Sequence, residues 1–136
     1  LVVHDAAASE DIAQEAFLAA VRGLDGFDRR RPFGPWLHRI VINRALDWGR
    51  RESLRRAVGD SEAATDTAPP AESIGEDLID ALAQLPVEQR AVVVLRYLLD
   101  YTPGEVARML GLPRGTVNSR LRRALDKLGE MLEEER

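Results

Sequence analysis

Residues Thr102 to Lys127, "TPGEVARMLGLPRGTVNSRLRRALDK", decide how the chain is read. Thr102 and Glu105 have the spacing of a capping box, and Pro103 occupies the first helical position, where its missing N–H costs nothing. A short helix starts there and must stop by Gly111, a natural residue for the left-handed end of a helix. "GLPRG" makes a turn, and a longer helix runs on from about Arg114 to Glu130 or beyond, with Val117, Leu121, Leu125, Leu128 and Leu132 at three- and four-residue spacing. A short helix, a tight glycine turn and a longer basic helix form the pattern of a DNA-binding helix-turn-helix.

The start of the second helix carries Arg114, Thr116, Asn118 and Ser119, side chains that reach phosphates and base edges. Because Val117 and Leu121 must face the core, Asn118, Ser119, Arg122 and Arg123 are best placed toward a major groove. Arg120 lies nearer the core boundary, where a neighbouring helix is an alternative partner.

Upstream, "EDLIDALAQL" reads as a short amphipathic helix with Leu78, Leu82 and Leu85 inward, ended by Pro86. "VEQRAVVVLRYLL" follows, with Val92, Val93, Leu95 and Leu99 available for the core. Residues 59–75, "GDSEAATDTAPPAESIG", are small, acidic and proline-bearing, and they lack the apolar area to order themselves. Their extended reach is about 60 Å. The chain therefore divides into a helical domain over 1–58, an acidic flexible linker over 59–73 and a helix-turn-helix domain over 74–136.

In the first domain, a helix is expected from Ser9 as N-cap to about Gly23. Phe17, Val21 and Leu24 repeat on it, beside Ile12 and Ala16; Asp11, Gln14, Glu15, Leu18 and Arg22 form a mostly polar stripe. A second helix is expected from Pro35 to about Arg51. At 100° per residue, Leu37, Ile40, Val41, Ala45 and Trp48 share one face, and Trp36, Arg39, Asn43, Asp47 and Arg50 share another. Ile42 and Leu46 make a third, apolar patch. Trp48 reads as core. Trp36 is either a packing anchor or a plane on which a base can stack.

The 136 residues are 45% apolar and carry no cysteine, so disulfides and thiolate metal sites are excluded. No apolar run approaches the ~20 residues that span a bilayer, and a soluble cytoplasmic all-α protein, without membrane insertion, is expected. The net charge of −4 conceals segregation: residues 29–56 hold nine arginines against Asp47 and Glu52, and residues 108–127 hold six bases against Asp126. Binding responds to such local fields rather than to the total. No paired carboxylates, metal cluster, phosphate loop or nucleophile arrangement stands out, so neither an enzyme nor a cofactor is expected. From the residues alone, a conventional helix-turn-helix regulator and a protein-interaction module both remain open.

"ALAQLPVEQRAVVVLRYLLDYTPGEVARMLGLPRGTVNSRLRRALDKL" resembles region 4 of a bacterial sigma factor, and "ASEDIAQEAFLAAVRGLDGFDRRRPFGPWLHRIVINRALDWGRR" resembles region 2. The two occur in the family's order, with only a linker between them, as in the extracytoplasmic-function (ECF) group of the sigma-70 family. The resemblance implies that Asp11, Gln14, Glu15 and Leu18 dock on core RNA polymerase. It implies that Arg29, Arg30, Arg31, Trp36, Arg39 and Asn43 open and hold the promoter −10 element. It implies that Arg114, Thr116, Asn118, Ser119, Arg122 and Arg123 read the −35 element. Promoter DNA, core polymerase and an anti-sigma factor are the implied partners. Three departures matter. The helix that opens region 2 in the family is absent or reduced to "LVVHDAA", which is expected to expose Phe17, Val21 or the Ile42/Leu46 patch and to invite self-association. Asn118 stands where relatives often place a basic residue, and Pro113 replaces a hydroxyl or carboxylate cap.

Overall fold

The computed structural model describes residues 2–3, 5–59 and 76–134, and every regular element among them is helical. Most of the acidic linker, His4 and the expected domain start near Ile74 lie outside the described residues.

Helix α1 spans Ala6–Gly23. Its N-cap is Asp5, not Ser9: the Asp5 carboxylate accepts from the Ala8 N–H at 2.9 Å. Ala6–Ala8 extend the helix backward with the strongest helix former, and the Ser9 hydroxyl donates to the Val3 carbonyl at 3.2 Å. Ala8, Ile12, Ala16 and Ala20 form the buried stripe. These small side chains let α1 lie close against the next helix, while Phe17 and Val21 stand 66% and 56% exposed.

Helix α2 spans Phe33–Ala57, longer at both ends than expected. Pro35 sits third in the helix, still within the first turn, where N–H groups have no intrahelical acceptor. At the far end, Glu52 pairs with Arg55 and Arg56 at 3.3 and 4.0 Å, and these i,i+3 and i,i+4 contacts carry the helix past Arg51. Its buried residues are Ile42, Ala45, Leu46 and Gly49. Of the expected core face, Val41 is exposed, while Leu37, Ile40 and Trp48 are half-buried. Ala45 packs with Val3, Ala8 and Ile12, and Trp48 closes the side of that cluster.

After residue 75 come α3 (Glu76–Gln84), α4 (Val87–Val93), α5 (Pro103–Leu110) and α6 (Arg114–Glu134). Helix α4 continues into a π-helical turn over Val94–Leu98, in which the Leu99 N–H reaches the Val94 carbonyl. The capping box at Thr102 and Glu105 is complete, with bonds of 3.2 and 3.0 Å. Gly111 takes φ 65°, the left-handed helix end. Leu95, Val92, Val106 and Val117 are the largest fully buried side chains.

Three leucines expected inward are exposed by 40–44%: Leu78, Leu99 and Leu125. Alanines explain part of this. Ala81, Ala91 and Ala124 are buried, and helices that meet on alanine approach closely enough to leave the neighbouring leucine at the rim.

The Ile42/Leu46 patch is not exposed. Both residues join the core formed by Leu82, Leu85, Val87, Leu95 and Tyr101. Helix α2 thus carries two buried sides, one covered by α1 and the other by α4 and α5.

Candidate nucleic-acid interface

Helices α5 and α6 form the helix-turn-helix. Val117, Leu121 and Ala124 are buried and fix the rotation of α6. That leaves Arg114, Asn118, Ser119, Arg122 and Arg123 exposed and Thr116 half-buried along the first half of the helix. The six residues expected on the DNA side are therefore all at least partly accessible around the first half of α6. Pro113 offers no side-chain cap; its carbonyl accepts from the Thr116 and Val117 N–H groups at 3.0 and 3.2 Å.

Arg120 is half-buried and acts on Glu88 of α4. Burial opposes ionisation of Glu88. A hydrogen bond from its own backbone, the Arg50 bond and charge, and the Arg120 field outweigh burial and hold its carboxyl below the ordinary range.

The second surface lies where the chain turns from α1 into α2. A 3-10 turn, Leu24–Gly26, leads into the arginine triplet. Asp28 organises that loop: one carboxylate oxygen accepts from the Arg30 N–H at 3.0 Å and from its guanidinium at 3.2 Å. The Arg31 guanidinium lies 3.9 Å from the other oxygen. The hydrogen bonds from Arg30, backbone first, keep the Asp28 carboxyl below its ordinary pKa. The Arg30 and Arg31 side chains remain 93% and 83% exposed, so their charge faces solvent despite these contacts.

Trp36 is half-buried, not a free plane. Its ring lies 4.9 Å from Phe27 and 5.6 Å from Phe33, and those two rings meet edge-on at 5.8 Å. The sequence reading missed this cluster, although Phe27 and Phe33 flank the arginines in "GFDRRRPFG" and were its visible signal. Phe27, Arg31, Trp36 and Arg39 line one side of a groove of about 700 Å³, and Tyr101 and Arg108 line the other. Asn43 lies two turns along α2 and is exposed; Arg29 and Arg30 sit beside the groove rather than in its wall. The third surface is on α1, where Asp11, Gln14, Glu15 and Leu18 are all exposed, next to Phe17 and Val21.

These features define an all-α protein with a helix-turn-helix in its second half and an aromatic, arginine-rich turn in its first. Comparison with known proteins is specific. Residues 2–66 match the family profile for sigma-70 region 2, and residues 75–128 match that for sigma-70 region 4. The chain is 38% identical over 132 residues to the ECF RNA polymerase sigma factor SigM of Mycobacterium tuberculosis, covering 91% of this chain and 64% of SigM. It is 32% identical over 146 residues to the ECF RNA polymerase sigma factor SigW of Bacillus subtilis, covering 96% and 76%. Among solved structures, the sigma factor RpoE of Bartonella quintana, in complex with the anti-sigma factor NepR, superposes with a TM-score of 0.75 at 25% identity, over 99% of this chain and 87% of that one. CnrH, in complex with the cytosolic domain of CnrY, gives a TM-score of 0.63 at 30% identity, over 93% and 72%. The chain belongs to the sigma-70 family, in its ECF group. It spans just under two thirds of the length of SigM.

Proposed function

We propose that this chain binds core RNA polymerase in the cytoplasm and directs initiation at specific promoters, contributing no catalytic group of its own. The observation that carries this reading is the joint presence of regions 2 and 4 in order, each with an exposed cationic surface of the expected composition. Residues 1–58 form the −10 unit, 74–136 the −35 unit, and 59–73 the connector.

Asp11, Gln14, Glu15 and Leu18 form the polymerase-docking face. Arg114, Thr116, Asn118, Ser119, Arg122 and Arg123 read and grip the −35 duplex, the arginines by charge and Asn118 by hydrogen bonds to a base edge. Arg29, Arg30, Arg31 and Arg39 follow the phosphates of the opened −10 strand. Trp36 and Asn43 take its bases, by stacking and by hydrogen bonding. Two weak readers on one polymerase gain effective concentration, so neither half needs to hold free DNA tightly.

An anti-sigma factor is the further partner, supported by the structural neighbour RpoE, a sigma factor in complex with the anti-sigma factor NepR. Nothing supports self-association: of the surfaces expected to drive it, the Ile42/Leu46 patch is covered within the chain, while Phe17 and Val21 stand exposed beside the proposed polymerase-docking face. Run-off transcription with purified core polymerase, with and without this chain, tests the reading. Promoter-dependent transcripts only in its presence are expected. No transcripts, together with tight unaided duplex binding, would instead identify a conventional helix-turn-helix regulator.

A further inference from the structure

The groove between the arginine turn and α5 carries chemistry that the −10 surface does not use. Arg31 and Arg39 stand on one side of it and Arg108 on the other, around a volume of about 700 Å³. Small-molecule sites have volumes of about 300–1,000 Å³. Among the described residues, neither Arg39 nor Arg108 forms an ion pair. Two carboxylates share the lining, but backbone donors engage both: Asp28 accepts from the Arg30 N–H and Glu105 from the Thr102 N–H, each at 3.0 Å. Tyr101 adds no charge. Burial, with the Glu105 charge behind it, pushes its phenol up, and its hydroxyl is shared with His38 Nδ1. Beside these cations lies a fixed aromatic plane. Trp36 packs against Phe27 at 4.9 Å and Phe33 at 5.6 Å. Its Cζ2 atom lies 3.5 Å from where a Cβ on Gly23 would stand. Held by two rings and by α1, the indole loses little freedom when a ligand stacks on it.

The geometry points to a binding site for a free nucleoside polyphosphate in this groove, with its base on the Trp36–Phe27 wall and its phosphates between Arg39 of α2 and Arg108 of α5. Base–aromatic stacking tolerates any base, and the guanidinium fork matches phosphate oxygens. The site therefore selects phosphate number more than base identity. Arg31, 83% exposed, adds a further charge for the outermost phosphate. Two walls of one chain enclose a volume of small-molecule size, which favours a free nucleotide over a continuous strand. The site shares Trp36 and Arg39 with the −10 surface proposed above, while Arg108 belongs to the groove alone. One ring cannot stack both ligands, so a nucleotide in the groove and a −10 strand on Trp36 exclude each other. That consequence rests on the function proposed above; nucleotide binding by the free chain does not.

Isothermal titration of the full chain with ATP, without polymerase or DNA, tests the site. One ATP should bind per chain, and binding should weaken from ATP to AMP to adenosine. Arg108→Ala, at an exposed position of α5, should weaken ATP about tenfold, the loss of a hydrogen bond between charged groups. Arg39→Ala on the opposite wall should give a similar loss, which covers the case in which Arg108→Ala disturbs its own helix. Arg44→Ala removes the same charge from an exposed position of α2 outside the groove and should leave the affinity as it was. In Trp48→Phe, Trp36 is the one remaining tryptophan, and ATP should quench its fluorescence. The absence of saturable ATP binding, or of quenching, would overturn the site. Equal losses in Arg108→Ala and Arg44→Ala would do the same, since they would show attraction by overall charge. A single-stranded −10 oligonucleotide should compete with ATP; one that binds more tightly than ATP would make the groove a strand track and overturn the assignment. Both ligands bound together would overturn their shared use of Trp36. Failure of the function reading is distinguishable, because run-off transcription would then fail while ATP titration of the free chain still reports on the groove.

Discussion

Trp36→Ala separates the packing role of this ring from its role in DNA opening. From its place on a polar ridge, the substitution looks harmless to the fold. The structure implies otherwise. The ring is half-buried and touches two phenylalanines at 4.9 and 5.6 Å. Each aromatic pair contributes about 0.5–1.5 kcal/mol beyond area burial, which gives about 2 kcal/mol for the two. A fully buried Trp→Ala change costs about 3–5 kcal/mol, and half of that agrees. With a urea slope of about 1.5 kcal/mol per molar, the midpoint should fall by about 1.3 M. The variant retains one tryptophan, Trp48, whose fluorescence reports on the α1–α2 cluster that it borders. A midpoint shift under 0.3 M would refute the packing argument. Trp36→Tyr supplies the second half of the test, since it keeps a ring for Phe27 and a face for a base. Promoter opening, followed by permanganate reactivity of the −10 thymines, should survive in Trp36→Tyr and be lost in Trp36→Ala even well below the unfolding midpoint. Opening that persists in Trp36→Ala would make the ring an anchor alone.

Gly111 holds φ 65°, so Gly111→Ala should destabilise the helix-turn-helix by about 1–2 kcal/mol in chemical denaturation, whereas Gly104→Ala, with no contact closer than 4.0 Å, should not. The Glu105 carboxyl is held below its ordinary value of 4.5 chiefly by its bond from the Thr102 N–H. Its stabilising effect is therefore complete above pH 4.5 and fades as pH falls through the lowered value. Glu105→Gln should flatten that acid limb when helix content is followed by circular dichroism against pH. Asn118→Ala should relax discrimination at a single adenine–thymine pair of the −35 element by about 1–3 kcal/mol, measured by competition among promoter variants. Arg123→Ala should instead weaken all sequences alike and lower the salt slope of binding by about 0.9.

How much could be read in advance depended on whether a feature was local. The capping box at Thr102, the stop at Gly111 and the rotation of α6 follow from side chains within a few residues of one another, and the structure has them as expected. Helix ends were less legible, because they rest on small, competing effects. Asp5 and Ser9 are both good caps, and three alanines decide between them. Ion pairs worth a few tenths of a kcal/mol extend α2 by a turn and a half. Local patterning also located the arginines and Trp36, but not the ring cluster, since Phe27 lies in the loop before α2 and Phe33 opens the helix ahead of the start expected at Pro35.

The mating of the two halves was illegible for a different reason. Periodicity shows that Ile42 and Leu46 form an apolar patch on α2, and it shows equally well that the second half has apolar helices. It does not say which faces meet, because burial free energy is non-directional and any complementary surface satisfies it. Shape decides, and here shape turns on Gly49. In sequence, a glycine within "DWGRR" only weakens a helix, by about 1 kcal/mol relative to alanine. In the structure a methyl group at this position would meet the Val87 side chain at 2.5–2.8 Å. That cost to α2 makes sense only if close approach to α4 matters more. Gly49→Ala should accordingly strengthen α2 as a helix while loosening its hold on the second half, two effects that helix content and radius of gyration report separately. A variant that gains helix content and stays as compact as the parent would show that glycine is not what admits Val87.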